Sequence, residues 1–402
     1  MASPSSLPGT YLAVLGRNAV LSRTELSRSA RELWTDDEIS LLTDLQVENP
    51  RSLPKAPAQL FLDRLGGTQR LAVQLQVAAT VEQSVSVIVD HIALHYPELF
   101  PQGDHKYLLG LSSYGMGKSL NKKYMQSITH ALGELPHKWV NEGTQNMTSG
   151  RYFHEKVGHK GAEYIVHQTT EGIGVYHTVA NQNLRNYTLR DRHKEGDSTM
   201  GMLPPKLAQI LINLAQPAPG TTIVDPFCGS GTVNTEAAIM GYPTLGSDQS
   251  KEHIKMAQRN WNFLSEKFRF STDSGRFTIA DATERDYPQG VMVTEGWLGQ
   301  NFTSRPSKDA AAREAEQVVA LWQRLFLTLE KAPIDRIVCC WPVWYCRDGA
   351  VKVDKKILAL AKRSHYTPVA FCDGSLGQVY AREGAYVGRW VQVLQRAQDL
   401  PG

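Results

Sequence analysis

At 402 residues with a net charge of +3, the chain is long enough for two domains that each bury a core. The charge balance excludes a polycationic nucleic-acid coat: residues 1–200 hold 20 Lys and Arg against 20 Asp and Glu, so any basic surface must be local. Five cysteines, all beyond residue 227, make an odd number without the paired spacing of a zinc site, so no metal is expected. Cys339, Cys340, Cys346 and Cys372 read as reduced, buried thiols of a cytoplasmic protein. Residues 1–10 are Ser- and Pro-rich without the basic start and apolar core of a signal peptide, and no apolar run has membrane-spanning length.

In chain order, residues 11–17 read as a strand ending in a glycine turn, with Ser22 and Glu25 at capping-box spacing for a helix behind it. Pro50, Pro54 and Pro57 interrupt the chain. Gly66 and Gly67 mark another turn, and residues 81–95 place Val85, Ile88, Val89 and Ile92 on one helical face. Residues 107–114 read as a strand and 118–132 as a helix carrying Lys118, Lys122 and Lys123. Residues 164–167 and 173–178 form a strand pair. This alternation suggests an α+β domain. A polar, locally basic stretch with Arg185, Arg190, Arg192 and Lys194 follows, and the domain boundary is placed here, giving domains 1–192 and 198–402. The stretch could serve as a phosphate-binding surface or as a solvated linker.

The second domain is organised around Asp225-Pro226-Phe227-Cys228-Gly229-Ser230-Gly231-Thr232. An apolar strand ends in Asp225, glycines turn the chain, residues 233–240 read as a helix stopped by Gly241, and a second strand ends near Asp248. That is the opening βαβ unit of a doubly wound fold, whose ligand lies at the carboxyl ends of the strands. Gly229 and Gly231 allow close backbone approach. The dinucleotide fingerprint is nevertheless broken at Asn234, and no Gly-Lys-Ser/Thr follows for a triphosphate. An acid at the strand end repels pyrophosphate and suits a cationic ligand with an amino group, such as S-adenosylmethionine (SAM). Asp248 would then hold its ribose hydroxyls; the alternative is a plain loop acid. A third strand ends in Asp281 and Ala282, a fourth in Thr294-Glu295-Gly296-Trp297-Leu298-Gly299. A long helix over 310–330, a strand over 335–341, a helix over 358–362 and closing strands complete a seven-stranded sheet. Cys228 reads as a small turn residue, with no activating base in sight.

The Asp225–Thr232 stretch resembles motif I of class I SAM-dependent methyltransferases, especially those acting on exocyclic amines of bases. Together with Tyr187, Arg190-Asp191, Gly201-Met202-Leu203-Pro204-Pro205-Lys206-Leu207-Ala208-Gln209, Tyr380-Ala381-Arg382 and Val387-Gly388-Arg389, it is similar to the tRNA guanine-N2 methyltransferase family with an N-terminal THUMP-type domain, in particular its bacterial relatives. The resemblance implies an α/β protein with a C-terminal Rossmann-like methyltransferase domain and an N-terminal α+β RNA-binding domain. It implies SAM as cofactor on Asp225, Phe227, Gly229, Gly231, Thr232, Asp248, Asp281 and Ala282. tRNA or another structured RNA is the implied partner, with a small activating subunit as a further one and no membrane. Thr294, Glu295 and Trp297 fall at the catalytic motif, where Glu295 would accept the amine hydrogens and Trp297 would stack the base. Ordinary roles compete: a solvated strand-end charge for Glu295, core packing for Trp297. Where relatives resemble Thr-Glu-Pro-Tyr-Leu-Gly, this chain has Gly296 and Trp297, and restoring proline at 296 is expected to leave activity equal or higher if the site is live. A SAM- and RNA-binding protein without turnover, and a DNA amino-methyltransferase, are the alternative readings.

Overall fold

The computed structural model describes residues 5–47, 55–103, 105–117, 119–141, 145–192 and 202–397. The chain forms two compact units that divide between Arg185 and Asn186.

The first unit contains β1 (Ser5–Leu7), β2 (Tyr11–Leu15), α1 (Ala19–Leu26), β3 (Arg31–Thr35), β4 (Ile39–Thr43), β5 (Leu45–Val47) and α2 (Pro57–Asp63). It continues with β6 (Thr68–Ala78), α3 (Val81–Leu99), β7 (Tyr107–Tyr114), α4 (Ser119–Leu132) and β8 (His137–Trp139). Two short helices, α5 (Ser149–His154) and α6 (Val157–Lys160), and the hairpin β9 (Gly161–Gln168) and β10 (Ile173–Asn181) complete it. Eight strands join in the order β3-β4-β2-β6-β10-β9-β7-β8, while β1 pairs with β5. Val85, Ile88 and Ile92 of α3 and Tyr124 and Ile128 of α4 are buried against Tyr107, Leu109, Tyr164 and Val175 of the sheet. The expected capping box is corrected here. Asn18 caps α1, its side chain accepting from the Leu21 amide at 3.0 Å. Ser22 and Glu25 lie inside the helix instead and face the Gly66-Gly67 turn. Ser22 Oγ donates to the Gly67 carbonyl at 2.8 Å, and Glu25 accepts from both turn amides at 2.9 and 2.8 Å. A Cβ at Gly67 would sit 2.7 Å from Ser22 Cα, so the turn tolerates only glycine there. Pro57, expected as a breaker, opens α2 at a position where proline's missing N–H costs nothing. Pro50 and Pro54 lie outside the described residues.

The helix α7 (Leu184–Arg192) carries the division between the units. The second unit then runs α8 (Pro205–Ala215), β11 (Ile223–Asp225), α9 (Thr232–Ile239), β12 (Thr244–Asp248), α10 (Lys251–Phe268), β13 (Gly275–Ile279) and β14 (Gly290–Thr294). It ends with α11 (Lys308–Leu329), β15 (Ile334–Cys346), β16 (Gly349–Lys352), α12 (Asp354–Arg363), β17 (Tyr366–Pro368), β18 (Gln378–Tyr380) and β19 (Val387–Arg396). The sheet follows the path β13-β12-β11-β14-β15-β19-β17, with β16 and β18 added beside β15 and β19. β13, β12, β11, β14 and β15 are parallel to one another; β19 runs against them. Strand order reverses at β11, so helices leave toward opposite faces there and a crevice opens at the carboxyl ends. Trp322 and Phe326 of α11 bury against Trp341 and Ile337 of β15. On α10, Trp261 and Leu264 bury with Ala238 of α9 and Phe270. Cys339, Cys340 and Cys346 are buried as expected, but Cys372 is exposed because it lies in the turn after β17 and outside the sheet; Cys228, in the turn after β11, is buried too.

Candidate active site

A cavity of about 620 Å³ lies where β11, β12, β13 and β14 end, and Asp225, Asp248, Asp281 and Glu295 all line it. Each acid closes or follows one parallel strand, so sheet pairing alone brings together residues up to 70 positions apart in sequence.

Asp225 is buried at the end of β11. Its Oδ1 accepts from the Thr294 hydroxyl at 2.6 Å and from the Phe227 amide at 3.2 Å. Burial, opposed by those hydrogen bonds, pushes its carboxyl up to about 7, with the negative charges of Asp248 and Glu295 adding to the rise. The turn that follows brings Gly229, at φ +50°, to donate its amide to Asp248 Oδ2 at 3.1 Å. Oδ1 of Asp248 accepts from the Ser250 amide at 2.9 Å and lies 3.1 Å from His253 Nδ1. A carboxylate has about four acceptor positions and three are engaged, so Asp248 is oriented with one position left for a ligand hydroxyl. Asp281 accepts from the amide and hydroxyl of Thr283, both at 2.8 Å, and these bonds hold its carboxyl below the usual range.

Phe227, Thr232, Ala282 and Trp297 line the same cavity, and Trp297 is 38% exposed, so its ring remains reachable. Two expected residues are placed differently. Thr294 is fully buried and acts through Asp225, away from the cavity wall. Gly231 caps α9 at φ +81°, where an added Cβ would meet Ala257 of α10 at 3.2 Å; it lets two helices approach and is not a wall residue. The expectation for Gly296 is overturned. Its φ is +67°, a region closed to proline, whose ring fixes φ near −65°. Its amide also donates to Thr294 Oγ1 at 3.3 Å, a bond that proline cannot make.

Sequence reasoning missed Gln317, Ala320, Leu321 and Arg324, which line the cavity from α11, and His253 and Met256 from α10. The spacing of 317, 320, 321 and 324 marks one helical face, but the sequence could not say that this face meets the cavity. Glu295 is paired with Arg389 of β19, a residue noted only as part of a closing motif.

The basic residues whose side chains are described differ in exposure. Lys122 and Lys123 are exposed on α4, and Arg185 is exposed on α7. Arg190 is 5% exposed and donates from Nη1 to Glu236 Oε2 at 2.7 Å, its guanidinium 4.3 Å from the centre of the Tyr187 ring. A buried Glu236 in α9 demands a cation, so Arg190 is withdrawn from any phosphate-binding role. Lys118, Lys194 and the side chain of Arg192 lie outside the described residues.

The strand order and the acid-lined crevice define a class I SAM-dependent methyltransferase fold. Residues 190–339, within the second unit, match the family model described as RMKL-like, methyltransferase domain. A second match, described as a DNA methylase, covers residues 90–259. Over 68 residues the chain is 41% identical to a tRNA (guanine(10)-N2)-dimethyltransferase of Methanothermobacter thermautotrophicus, covering 17% of this chain and 20% of the relative. Over 44 residues it is 52% identical to a tRNA (guanine(6)-N2)-methyltransferase of Thermus thermophilus, covering 11% and 13%. These alignments span about a fifth or less of the curated relatives' length. The crystal structure of TrmN from Thermus thermophilus superposes with a TM-score of 0.52 at 17% identity, over 96% of this chain and 100% of that one. A possible methylase from Clostridium difficile 630 gives 0.51 at 13% identity, over 98% and 99%. At these identities the superpositions establish the fold.

The donor set fits SAM: ionisable acids face a cationic ligand, and the oriented Asp248 carboxylate can receive a ribose hydroxyl. Asp248→Ala is expected to weaken SAM binding by roughly ten- to a hundredfold, the equivalent of about 1.5–3 kcal/mol for charge-assisted hydrogen bonds. Calorimetry giving the parent's affinity would remove Asp248 from the site. A pH dependence follows from Asp225, which carries its proton in the free protein below about 7. A cationic ligand favours the ionised form, so binding below that pH must expel the proton. SAM affinity should therefore rise about tenfold per pH unit toward 7 and level off above it. A flat profile between pH 5 and 8 in the parent, or the same slope in Asp225→Asn, would refute this coupling.

Proposed function

We propose that this protein methylates an exocyclic amine of RNA, with the N2 amine of a tRNA guanosine as its target and SAM as the methyl donor. The single observation that carries the reading is the placement of Glu295 and Trp297 on the wall of the acid-lined cavity. SAM supplies the electrophilic methyl group when bound. A guanine amine is a weak nucleophile because its lone pair is delocalised into the ring, so the protein must draw its hydrogens away and hold the base. Glu295 accepts the N–H hydrogens, and the reachable Trp297 ring stacks the base. Asp225, Phe227, Gly229, Thr232, Asp248, Asp281 and Ala282 hold the donor. The tRNA (guanine-N2) specificities in the matched relatives' names support guanosine as the target base.

The N-terminal unit, through Arg185, is proposed as a THUMP-like RNA-binding domain, and the unit that begins at Asn186 as the catalytic one. Among the described residues no helix is long and apolar enough to cross a membrane; with tRNA as substrate, the compartment is the cytoplasm. Lys122, Lys123 and Arg185 are proposed phosphate contacts. Replacing all three with alanine should weaken tRNA binding and lower the slope of log K against log salt by about 0.7–0.9 for each lost contact. The parent's slope in the triple variant would return these residues to the solvated surface.

Single-turnover transfer of labelled methyl from SAM to tRNA or to duplex DNA tests the whole reading, with the chain alone and then with a small activating subunit supplied by cell extract. The DNA methylase match favours a second reading, and transfer to duplex DNA alone would select it. SAM binding without transfer to any nucleic acid would select a non-catalytic RNA-binding role.

A further inference from the structure

Beside the cavity, a single guanidinium joins two wall segments that are far apart in sequence. Arg389 lies in β19 and is only 9% exposed. Its Nε donates to Oε1 of Glu295, 94 residues earlier, and its Nη2 donates to the Met202 carbonyl at 3.5 Å. Glu295 and Met202 both line the cavity, whereas Arg389 stands behind them. Among the described residues, the buried Asp225 and Cys340 also feel the Glu295 charge. Asp225 opposes the Glu295 charge when ionised, and Cys340 adds no positive charge. Arg389 supplies a cation in direct contact with a carboxylate that shares its surroundings with the Asp225 acid. A purely structural ion pair would be satisfied with Glu295 turned wholly into the protein; here Glu295 lines the cavity and its side chain keeps 17% of its exposure.

We propose that Arg389 is a positioning residue for methyl transfer, fixing the Glu295 carboxylate in its charged form where the target amine is presented. This rests on the function proposed above, and the test separates the two. Single-turnover transfer to tRNA would be measured across pH in the parent, Arg389→Lys, Arg389→Gln and Arg389→Ala. In parallel, the Glu295 carboxyl would be titrated by NMR with ¹³C-labelled glutamate, Glu295→Gln assigning its resonance. Arg389→Gln should lower transfer at neutral pH by about 10- to 100-fold, the scale of a misplaced catalytic group. Its acid limb should move to higher pH and the Glu295 resonance should titrate about one pH unit or more higher, with SAM affinity unchanged. Arg389→Lys should retain part of the rate, since it keeps the charge and loses the fork. Added guanidinium should partly restore Arg389→Ala. An unchanged Glu295 titration in Arg389→Gln overturns the proposal. So does a loss of rate with the parent's pH profile and no response to guanidinium. If the parent transfers no methyl to any RNA while the titration still shifts, the proposed function falls and the electrostatic coupling stands.

Discussion

Gly296→Pro is expected to lose about 100-fold or more in methyl transfer, although proline is the residue that the catalytic motif of similar enzymes suggests for this position. The backbone at Gly296 has φ +67°, so proline must rotate it by well over a hundred degrees. The hydrogen bond that the Gly296 amide donates to Thr294 Oγ1 is lost as well, and Thr294 in turn donates to Asp225. A Cβ here would already stand 3.2 Å from Trp322 Cζ2 and 3.3 Å from the Cys340 carbonyl oxygen, both in the core. Glu295 and Trp297 flank the changed residue, so both would be displaced, and a displacement of about 1 Å can cost 100-fold. Stability should fall too, by more than the roughly 1 kcal/mol that a compatible proline would add. Thermal unfolding alongside single-turnover transfer reads both effects. A Gly296→Pro protein as fast and as stable as the parent would show that the loop adopts a different backbone in solution.

Glu295→Gln should slow methyl transfer by about 100-fold or more while SAM binding persists, because an acceptor-only carboxylate becomes an amide that also donates. It also leaves Arg389 buried beside a neutral partner, so some loss of stability accompanies the loss of rate. Trp297→Ala should act differently. Taking a base out of its helix costs a few kcal/mol, and stacking on an aromatic ring returns about 1–3 kcal/mol. Substrate binding and rate should fall together, by roughly 10- to 100-fold. Pre-steady-state transfer at saturating and limiting tRNA separates the two variants. Equal rates in Glu295→Gln and the parent would remove Glu295 from the chemistry, and unchanged tRNA binding in Trp297→Ala would return that ring to packing.

Much of the catalytic unit was already legible in the residues. The order of strands and helices, the glycine turn after Asp225, and acids at the ends of successive strands depend on local periodicity and backbone freedom, which neighbouring residues settle. Parallel pairing then brings Asp225, Asp248, Asp281 and Glu295 to one edge without further instruction. What only the tertiary structure decided is where charge and backbone meet partners from elsewhere in the chain. Arg190 looked like one of several surface cations until a buried Glu236, 46 residues on, claimed it. Arg389 acquired its meaning from Glu295, 94 residues before it. Ser22 and Glu25 fit a capping box by spacing, yet the Gly66-Gly67 turn offered them amides and a carbonyl inside the fold, and Asn18 took the cap. Gly296 is the sharpest case. Its letter suggested lost rigidity, whereas its positive φ, together with Trp322 and Cys340 close to where a Cβ would stand, makes glycine the residue that this loop requires. Spacing along the chain fixes which residues can meet on one element; burial, which pairs charges and closes off backbone angles, is settled only when distant elements pack.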